Sequence, residues 1–402
     1  MRAVSTLAGL ISLSLAACGS STPGTGTGPD AAPGSVIDAA PGGIDAAPGA
    51  TVAGCDGATF LQNPADPRAP GPWPVGAKTV TIGRLTVEIF YPAQVGSEAG
   101  KAKATYDIRK ELPASEQPKI SDTDNPVQDC DCYRDLPLDT AHGKYPGVLF
   151  VHGTAAFRHQ SLPNETHWAS RGFIVVAADH PGLKLGDILG GVCQQPSSGS
   201  QDLSGDLDAM IAALNAPTGD LAFLDGHLDT SRLAVSGHSA GAGAAAAAST
   251  KPGVQVVLSF AGAGATATSS TLKQTLYMGG ASDMIAKWSN VMSAWNGSPK
   301  PRRLVQIANA GHLAFSDLCQ TKNAAGKNLL EIATANNVCG AQLAGFLFDC
   351  NASFVDGPTG WDVINYASSS VLESTLQCNP SSPDLANIKT VLPAVSDYLE
   401  AL

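Results

Sequence analysis

Short runs of consecutive apolar residues recur through the middle of the chain, and most are followed by glycine or polar residues. Within each run the apolar residues do not alternate with polar ones, which is typical of strands buried on both faces of a parallel sheet. The runs lie at residues 148–151, 173–178, 233–236, 254–260, 276–278 and 304–307. They predict six buried strands.

Two earlier segments, at 79–82 and 84–91, predict a pair of strands joined at Gly83. The second strand alternates, which predicts one buried and one outer face. Its inner residues would be Leu85, Val87 and Ile89, and its outer residues Thr86, Glu88 and Phe90. Residues 92–144 then form a polar, proline-containing loop, which we expect Cys130 or Cys132 to anchor.

Segments of helical pattern separate the buried runs, at 166–171, 203–214, 240–249 and 284–295. Strands that alternate with helices predict an α/β fold with a mostly parallel central sheet and helices on both faces. About 90 residues follow Leu313. In this C-terminal extension, residues 361–376 and 385–402 are candidate helices that wrap the sheet or cover a cleft.

The N-terminal region has a different composition. Arg2, the apolar or small residues 3–15 and the string Leu15-Ala16-Ala17 predict an export signal over residues 1–17, too short to span a membrane. Residues 18–54, rich in Gly, Pro and Ala, cannot bury enough apolar surface to fold and predict a disordered linker. Residues 55–402 form one predicted folded domain.

Leu15-Ala16-Ala17-Cys18 resembles a bacterial lipobox. The resemblance implies cleavage before Cys18, lipidation of that residue and anchoring in the bacterial cell envelope, at the outer membrane or cell surface; ordinary cleavage would make the protein secreted. The other eight cysteines form an even set, which in an exported chain predicts up to four disulfides of undetermined pairing. The Cys130-Asp131-Cys132 spacing does not suit a zinc site.

Composition narrows the range of functions. The chain has 402 residues, of which 44% are hydrophobic and 15% charged, so it can bury a sizeable core. Its net charge of −11 argues against a nucleic-acid partner. The acidic stretch 122–131 lacks the pattern of a calcium-binding loop, so we expect no metal and no cofactor.

A Gly-x-Ser-x-Gly motif follows the run at 233–236 and precedes a helix of small residues. In Gly237-His238-Ser239-Ala240-Gly241 the serine would occupy a sharp strand-to-helix turn, where side chains larger than glycine on either side would collide. Such a turn exposes the serine hydroxyl beside the positive end of the helix. We therefore predict that Ser239 is a nucleophile.

A serine nucleophile needs a base and an acid that orients the base. In hydrolases with this turn the acid and then the histidine follow the serine along the chain. His312 is the only histidine after Ser239, and Asp283 is the only carboxylate between them. Both come just after predicted strands, so we predict a Ser239–His312–Asp283 triad, with Asp179 as the alternative acid.

Two backbone N–H groups should stabilise the oxyanion: that of Ala240, and that of Thr154 in the turn after the run at 148–151. The neighbouring His152 and His238 are expected to shape their turns rather than transfer protons. His180 is a candidate for substrate contact.

Residues 145–312 resemble the α/β-hydrolases that include platelet-activating-factor acetylhydrolases, cutinase-like polyester hydrolases and dienelactone-hydrolase-like proteins. The segments 152–158, 169–180, 228–239 and 280–283 carry the resemblance. It implies an α/β-hydrolase fold with a disulfide-stabilised C-terminal extension. Thr154 and Ala240 stand where polyester hydrolases carry an aromatic residue and commonly a methionine, which would weaken the grip on an aromatic polyester.

The residues and the resemblance together predict a serine carboxylic-ester hydrolase that works through an acyl-enzyme. We expect a short-chain ester or an acetylated phospholipid as substrate, with polyester or triglyceride as the alternative. A catalytically silent surface binding protein on the same scaffold is the alternative from another class. We expect a monomer whose partners are a small-molecule or lipid ester and, through Cys18, the membrane.

Overall fold

The computed structural model describes residues 55, 57–377 and 385–402, and the predicted signal, Cys18 and the linker to residue 54 lie outside the described residues. Ten of its twelve strands form one sheet. The strands are β1 Val75–Ile82, β2 Leu85–Pro92, β3 Thr105–Asp107, β4 Val127–Asp129, β5 Tyr133–Arg134, β6 Tyr145–Val151, β7 Ile174–Asp179, β8 Leu228–His238, β9 Val254–Phe260, β10 Gln274–Gly280, β11 Arg302–Ile307 and β12 Val395–Ala401.

The sheet runs in the order β12-β11-β10-β9-β8-β6-β7-β2-β1-β5. The six predicted buried strands, β6 to β11, are mutually parallel, and β2 pairs antiparallel with both β7 and β1. Because the parallel strands share one direction, their carboxyl ends lie along one edge of the sheet. The loops that follow β6, β8, β10 and β11 therefore meet there.

Nine α-helices accompany the sheet in the described residues. They are α1 Leu162–Ser170, α2 Leu185–Val192, α3 Leu203–Asn215, α4 Ala240–Ala247, α5 Trp288–Gly297, α6 Leu329–Ala335, α7 Ala341–Ala344, α8 Gly357–Leu376 and α9 Ile388–Val391. None of them is long and apolar enough to cross a membrane.

Helices cover both faces of the sheet, as predicted. Val148 and Phe150 of β6 pack in one core cluster with apolar residues of α1 and α8. Leu149 and Val151, on the opposite face of β6, pack in a second cluster with residues of α3 and α4. Burial on both faces explains why these strands read as continuous apolar runs rather than alternating ones.

The predicted outer face of β2 is wrong except at Thr86, which is exposed: the side chains of Glu88 and Phe90 are completely buried. Phe90 packs in one core cluster and Ile89, on the opposite face, packs in the other, so both faces of the strand are covered. The Glu88 carboxylate accepts a hydrogen bond from Thr79 and pairs with the guanidinium groups of Arg134 and Arg158. Burying a carboxylate this deeply requires such partners.

One of the two helices predicted in the C-terminal extension is present. The candidate helix at 361–376 is the last part of α8, which packs against α1 and the sheet. The candidate helix at 385–402 is wrong: a short turn and α9 lead into β12, which pairs antiparallel with β11. The free edge of β11 offers a row of unpaired backbone groups that a further strand satisfies.

Three disulfides join described cysteines: Cys130–Cys132, Cys193–Cys339 and Cys319–Cys350. The first joins two cysteines of the 92–144 loop to each other. The expectation that Cys130 or Cys132 anchors this loop is therefore wrong. Of the other two, Cys193–Cys339 attaches the C-terminal extension to the rest of the domain, and Cys319–Cys350 closes a loop within the extension. Disulfides are typical of proteins folded in oxidising compartments, which indicates export.

Candidate active site

Ser239 lies on the sharp turn between β8 and α4. Its backbone has φ 57° and ψ −117°, and a non-glycine residue at positive φ is strained. The backbone N–H of Ser239 donates to Phe260 O at 2.9 Å, which fixes the turn against β9. Since Ser239 is only half-buried, its hydroxyl is accessible at the carboxyl edge of the sheet.

The two glycines of the motif are required by close backbone approach. A Cβ atom on Gly237 would lie 2.1 Å from Gly241 O, and one on Gly241 would lie 2.0 Å from Val151 O. Both separations are far inside van der Waals contact. The local geometry therefore agrees with the predicted strand–serine–helix turn.

Asp283 and His312 meet at the same edge, after β10 and β11. The imidazole Nδ1 of His312 lies 2.8 Å from Asp283 Oδ2, and both side chains are buried. The other oxygen, Asp283 Oδ1, accepts the N–H groups of Ile285 and Ala286 at 2.8 Å each. These two bonds leave Oδ2 for the histidine, and they form a turn that delays α5 to Trp288, four residues after the predicted start of that helix.

The turn of Ser239 also approaches His312. The ring of His238, which precedes Ser239, lies 4.6 Å from the His312 ring, centroid to centroid. The structure thus gathers Ser239, Asp283 and His312 in one place, from the ends of three parallel strands.

The predicted oxyanion loop lies directly against the serine. A Cβ atom on Gly153 would lie 3.3 Å from Ser239 Cβ, so the loop after β6 touches the nucleophile turn. Among the described residues, the N–H groups of Thr154 and Ala240 donate no hydrogen bond, and Ala240 is the first residue of α4. Both donors are free to bind a developing oxyanion.

His152 and His238 hold backbone turns, as predicted. His152 accepts the N–H of His180 at Nε2, 3.1 Å away, and donates from Nδ1 to Gly153 O at 2.8 Å. Burial lowers its pKa to about 4, so this imidazole is neutral at physiological pH. Burial likewise lowers the pKa of His238 well below its ordinary value.

The two remaining candidates have other partners. Asp179 accepts the backbone N–H of Arg158 at 2.8 Å and pairs with the Arg158 guanidinium, so it does not orient His312. His180 is completely buried, with Nδ1 3.0 Å from Asp206 Oδ2. Because His180 is inaccessible, the suggestion that it contacts substrate is wrong.

Sequence reasoning missed Gln160. Its Oε1 accepts the N–H of Gly153 at 2.8 Å, and its Nε2 donates to His238 Nδ1 at 3.1 Å. His238 in turn donates from Nε2 to His312 O at 3.0 Å. This chain of hydrogen bonds connects the oxyanion loop to the base, and nothing in the sequence marks a glutamine seven residues after Gly153 for that role.

The described residues contain no group of three or more His, Cys, Asp or Glu side chains placed to hold a metal ion.

Two family models match the chain. One, described as PET hydrolase-like, matches residues 133–329, and the other, described as platelet-activating factor acetylhydrolase, isoform II, matches residues 59–183. The first match contains Ser239, Asp283 and His312, and both contain the Gly153–Thr154 turn. No curated protein matches the chain.

A solved structure of a ferulic acid esterase from Streptomyces cinnamoneus is similar over 79% of this chain and 96% of that one, with 15% sequence identity and a TM-score of 0.52. At that identity the likeness concerns the fold, which it supports as an α/β-hydrolase fold. The two family models support a serine esterase of the α/β-hydrolase superfamily, and the solved structure supports the corresponding fold.

Proposed function

We propose that this esterase cleaves carboxylic esters through an acyl-enzyme formed on Ser239. The observation that carries the proposal is the 2.8 Å contact between His312 Nδ1 and Asp283 Oδ2, at the sheet edge that also holds Ser239. Asp283 is the only carboxylate between Ser239 and His312, and His312 is the only histidine after Ser239. The contact therefore joins the two residues that come in the required order.

In the proposed mechanism His312 Nε2 takes the proton of the Ser239 hydroxyl while Oγ attacks the ester carbonyl. The N–H groups of Ala240 and Thr154 then hold the negative oxygen of the tetrahedral intermediate. His312 returns the proton to the leaving alcohol, and water repeats the sequence to release the acid. Loss of one oxyanion donor costs about 10²–10³ in rate in comparable enzymes.

Asp283 fixes the tautomer of the base. Since Asp283 Oδ2 faces Nδ1 and accepts its hydrogen, the histidine carries its proton on Nδ1 and keeps Nε2 free to accept one. The two backbone N–H groups on Oδ1 hold the carboxylate in this orientation.

For the substrate we propose a short-chain ester or an acetylated phospholipid. The match of residues 59–183, which includes the oxyanion turn, to the platelet-activating factor acetylhydrolase model supports this class. Ser239 is half-buried and Thr154 is exposed, so the acyl group would be held near the surface. Polyester is the second candidate, because the PET hydrolase-like match spans the whole proposed triad.

We also propose that the protein acts as a monomer at the bacterial cell envelope, held by a lipid on Cys18. The described disulfides support export. A second acyl chain, as the lipobox resemblance implies, would make the anchoring stable.

The test compares the full chain with Ser239→Ala on p-nitrophenyl acetate, butyrate and palmitate, a short sn-2-chain phospholipid and a polyester film. We expect Ser239→Ala to lower kcat by about 10⁴-fold or more on every substrate that the wild type cleaves. Activity should fall from acetate to palmitate.

The matched control is Ser236→Ala. Ser236 lies on the same strand, is completely buried and has no hydrogen-bond partner for its Oγ among the described residues, so its loss should leave activity unchanged. Full activity in Ser239→Ala would overturn the mechanism. A wild type inactive on every ester would favour the binding-protein alternative, and a preference for palmitate or polyester would overturn the substrate class.

A further inference from the structure

The C-terminal extension returns to the active site and packs on the loop that carries His312. The N–H of Val355 donates to Asn309 O at 2.9 Å, and the side-chain amide of Asn309 donates to Ser353 O. A Cβ atom on Gly311 would lie 2.4 Å from the ring of Phe354. Residues 349–355 therefore form a strap against the residues on either side of the base.

Asp349, at the start of this strap, holds the backbone of His312. Its Oδ2 accepts the N–H of His312, and its Oδ1 accepts the N–H of Leu313 at 3.0 Å. These residues begin the 3₁₀ turn His312–Phe315, whose first N–H groups have no partner within the turn. Each carboxylate oxygen therefore serves one donor, and the negative charge faces the positive end of the turn.

The other polar group of the same residue is also held by a side chain. His312 O accepts the Nε2–H of His238 at 3.0 Å. The N–H and the carbonyl of His312 are thus fixed from opposite directions, one by the strap and the other by the residue beside the nucleophile. With its backbone held in this way, the His312 side chain can move mainly by rotation about its own χ angles.

Asp349 is itself fixed on both sides. Cys350 forms a disulfide with Cys319, 31 residues earlier and a few residues beyond His312. Phe348, on the other side, packs in an apolar cluster with Leu313 and with Phe157 of the oxyanion loop. The strap therefore cannot move away from His312 without breaking a covalent bond or exposing apolar surface.

Charge supports the same arrangement. The titratable side chains around His312 are Asp283 at 2.8 Å, the neutral His238 at a ring distance of 4.6 Å, and Asp349 on its backbone. Burial raises the pKa of Asp349, and the hydrogen bonds from the backbone N–H groups of His312 and Leu313 oppose that rise. A carboxylate here favours the imidazolium that forms during catalysis.

We propose that Asp349 is a positioning residue for His312, holding the base of the proposed triad in line with Ser239 through its grip on two backbone N–H groups. The inference rests on the proposed function, because it assigns His312 the role of base. It adds to the site a residue from the C-terminal extension, 37 positions after the histidine.

The test measures kcat, KM and the pH profile of kcat/KM for Asp349→Asn on the best p-nitrophenyl ester. Asparagine offers one acceptor oxygen where two donors need one each, so the His312 turn loses a partner. We expect kcat to fall about tenfold or more with KM within about twofold, since small displacements of a base are costly. Loss of the negative charge disfavours the imidazolium form of the base, so we expect the acid limb to move to lower pH.

The control is Asp356→Asn. Asp356 lies in the same extension and caps the N-terminus of α8, accepting the N–H of Thr359 at 2.9 Å, but it does not contact His312. It should lose stability without a change in kcat or in the acid limb. Wild-type kcat and pH profile in Asp349→Asn would overturn the proposal, and so would an equal loss of kcat in both variants.

Asp349→Glu decides the question if Asp349→Asn does not fold. It keeps the charge and both acceptors but displaces them by one methylene, so we expect a lower kcat with the acid limb in place, and wild-type kcat would contradict the proposal. Ser239→Ala is measured beside it. Activity in Ser239→Ala would refute the proposed function, whereas an inactive Ser239→Ala beside an unaltered Asp349→Asn would refute the positioning role alone.

Discussion

The parallel strands β6 to β11 and the C-terminal extension after His312 contribute to the same site by different physical means. The strands place Ser239 and Asp283 by burying apolar residues on both faces and by allowing close backbone contact at Gly237 and Gly241. The extension holds His312 with a carboxylate on backbone donors and is attached to the rest of the domain by the Cys193–Cys339 disulfide. The site thus combines an apolar framework with polar and covalent fastening.

The covering helices show the same contrast. Helix α4, on one face, consists of alanine and glycine, and α3 beside it contributes Leu207, Met210 and Ile211 to the core. Helix α8, on the other face, buries polar side chains that bond to α1: Asn365 accepts from Asn164 at 2.8 Å, and Ser368 accepts from Trp168 at 2.9 Å. Apolar packing tolerates small shifts, whereas paired polar groups fix one register.

The largest expected effect tests the part that the strands supply. Asp283→Asn should lower kcat by about 10⁴-fold with the fold intact. Because Oδ1 accepts two N–H groups, the asparagine oxygen would stay there and its NH₂ would face His312 Nδ1. The histidine would then carry its proton on Nε2, where it cannot act as a base.

Asp179→Asn is the matched control. It alters the other buried carboxylate considered for the orienting role, which the structure pairs with Arg158. Its kcat per folded molecule should stay within about tenfold of the wild type. A steady-state assay in which the two variants lose equal activity would remove Asp283 from the proposed triad.

The strand-based part of the molecule could be predicted from sequence. The run at 254–260 coincides with β9 at both ends. The helical pattern at 203–214 corresponds to α3, which ends one residue later, at Asn215. The serine turn, Asp283 and His312 could be located because each follows such a run. Local apolar patterns report burial directly, so elements that depend on burial alone are readable.

The remaining errors concern contacts between distant segments. The alternation in β2 was misleading because the sequence of one strand does not show which distant segments pack on its second face, as Arg134 and Arg158 do at Glu88. The pattern after residue 385 suits a helix or a strand, and only the open edge of β11 decides for β12. Gln160 and Asp349 are ordinary residue types whose importance lies in the backbone groups they meet.

The second prediction concerns the covalent fastening of the extension. Removing Cys193–Cys339, which spans 146 residues, by the double change to serine should lower the free energy of unfolding by about 5 kcal/mol, because the unfolded chain regains the entropy of a long loop. Removing Cys130–Cys132, which spans 2 residues, should cost about 1 kcal/mol on the same account. Urea unfolding monitored by tryptophan fluorescence measures both.

The small loop serves as the control for the loss of any disulfide. If the two double variants lose equal stability, the entropy of the closed loop is not the source of the effect. The C-terminal extension would then not depend on the long-range disulfide for its stability.

The smallest effect concerns Asp317, where the two regions meet. Its N–H donates to Gln160 O at 3.1 Å, and both of its carboxylate oxygens accept from Gln128 Nε2 at 2.8 and 2.9 Å. Burial raises the pKa of Asp317 to about 7, from an ordinary value of 3.8. Burial and the nearby Asp317 raise the pKa of Glu165 as well, and neither Glu165 oxygen has a hydrogen-bond partner among the described residues.

A raised folded-state pKa means that the folded protein binds the proton more tightly than the unfolded chain does. The resulting stability is full below about pH 4 and is lost as the pH rises through about 7. The difference between a pKa of 3.8 and one of about 7 corresponds to about 4 kcal/mol. Chemical denaturation of wild type and Asp317→Asn at pH 4, 5.5 and 7.5 should therefore show the stability difference moving in favour of the variant as the pH rises. A difference independent of pH would mean that Asp317 is ionised in the folded protein and that Gln128 alone compensates its buried charge.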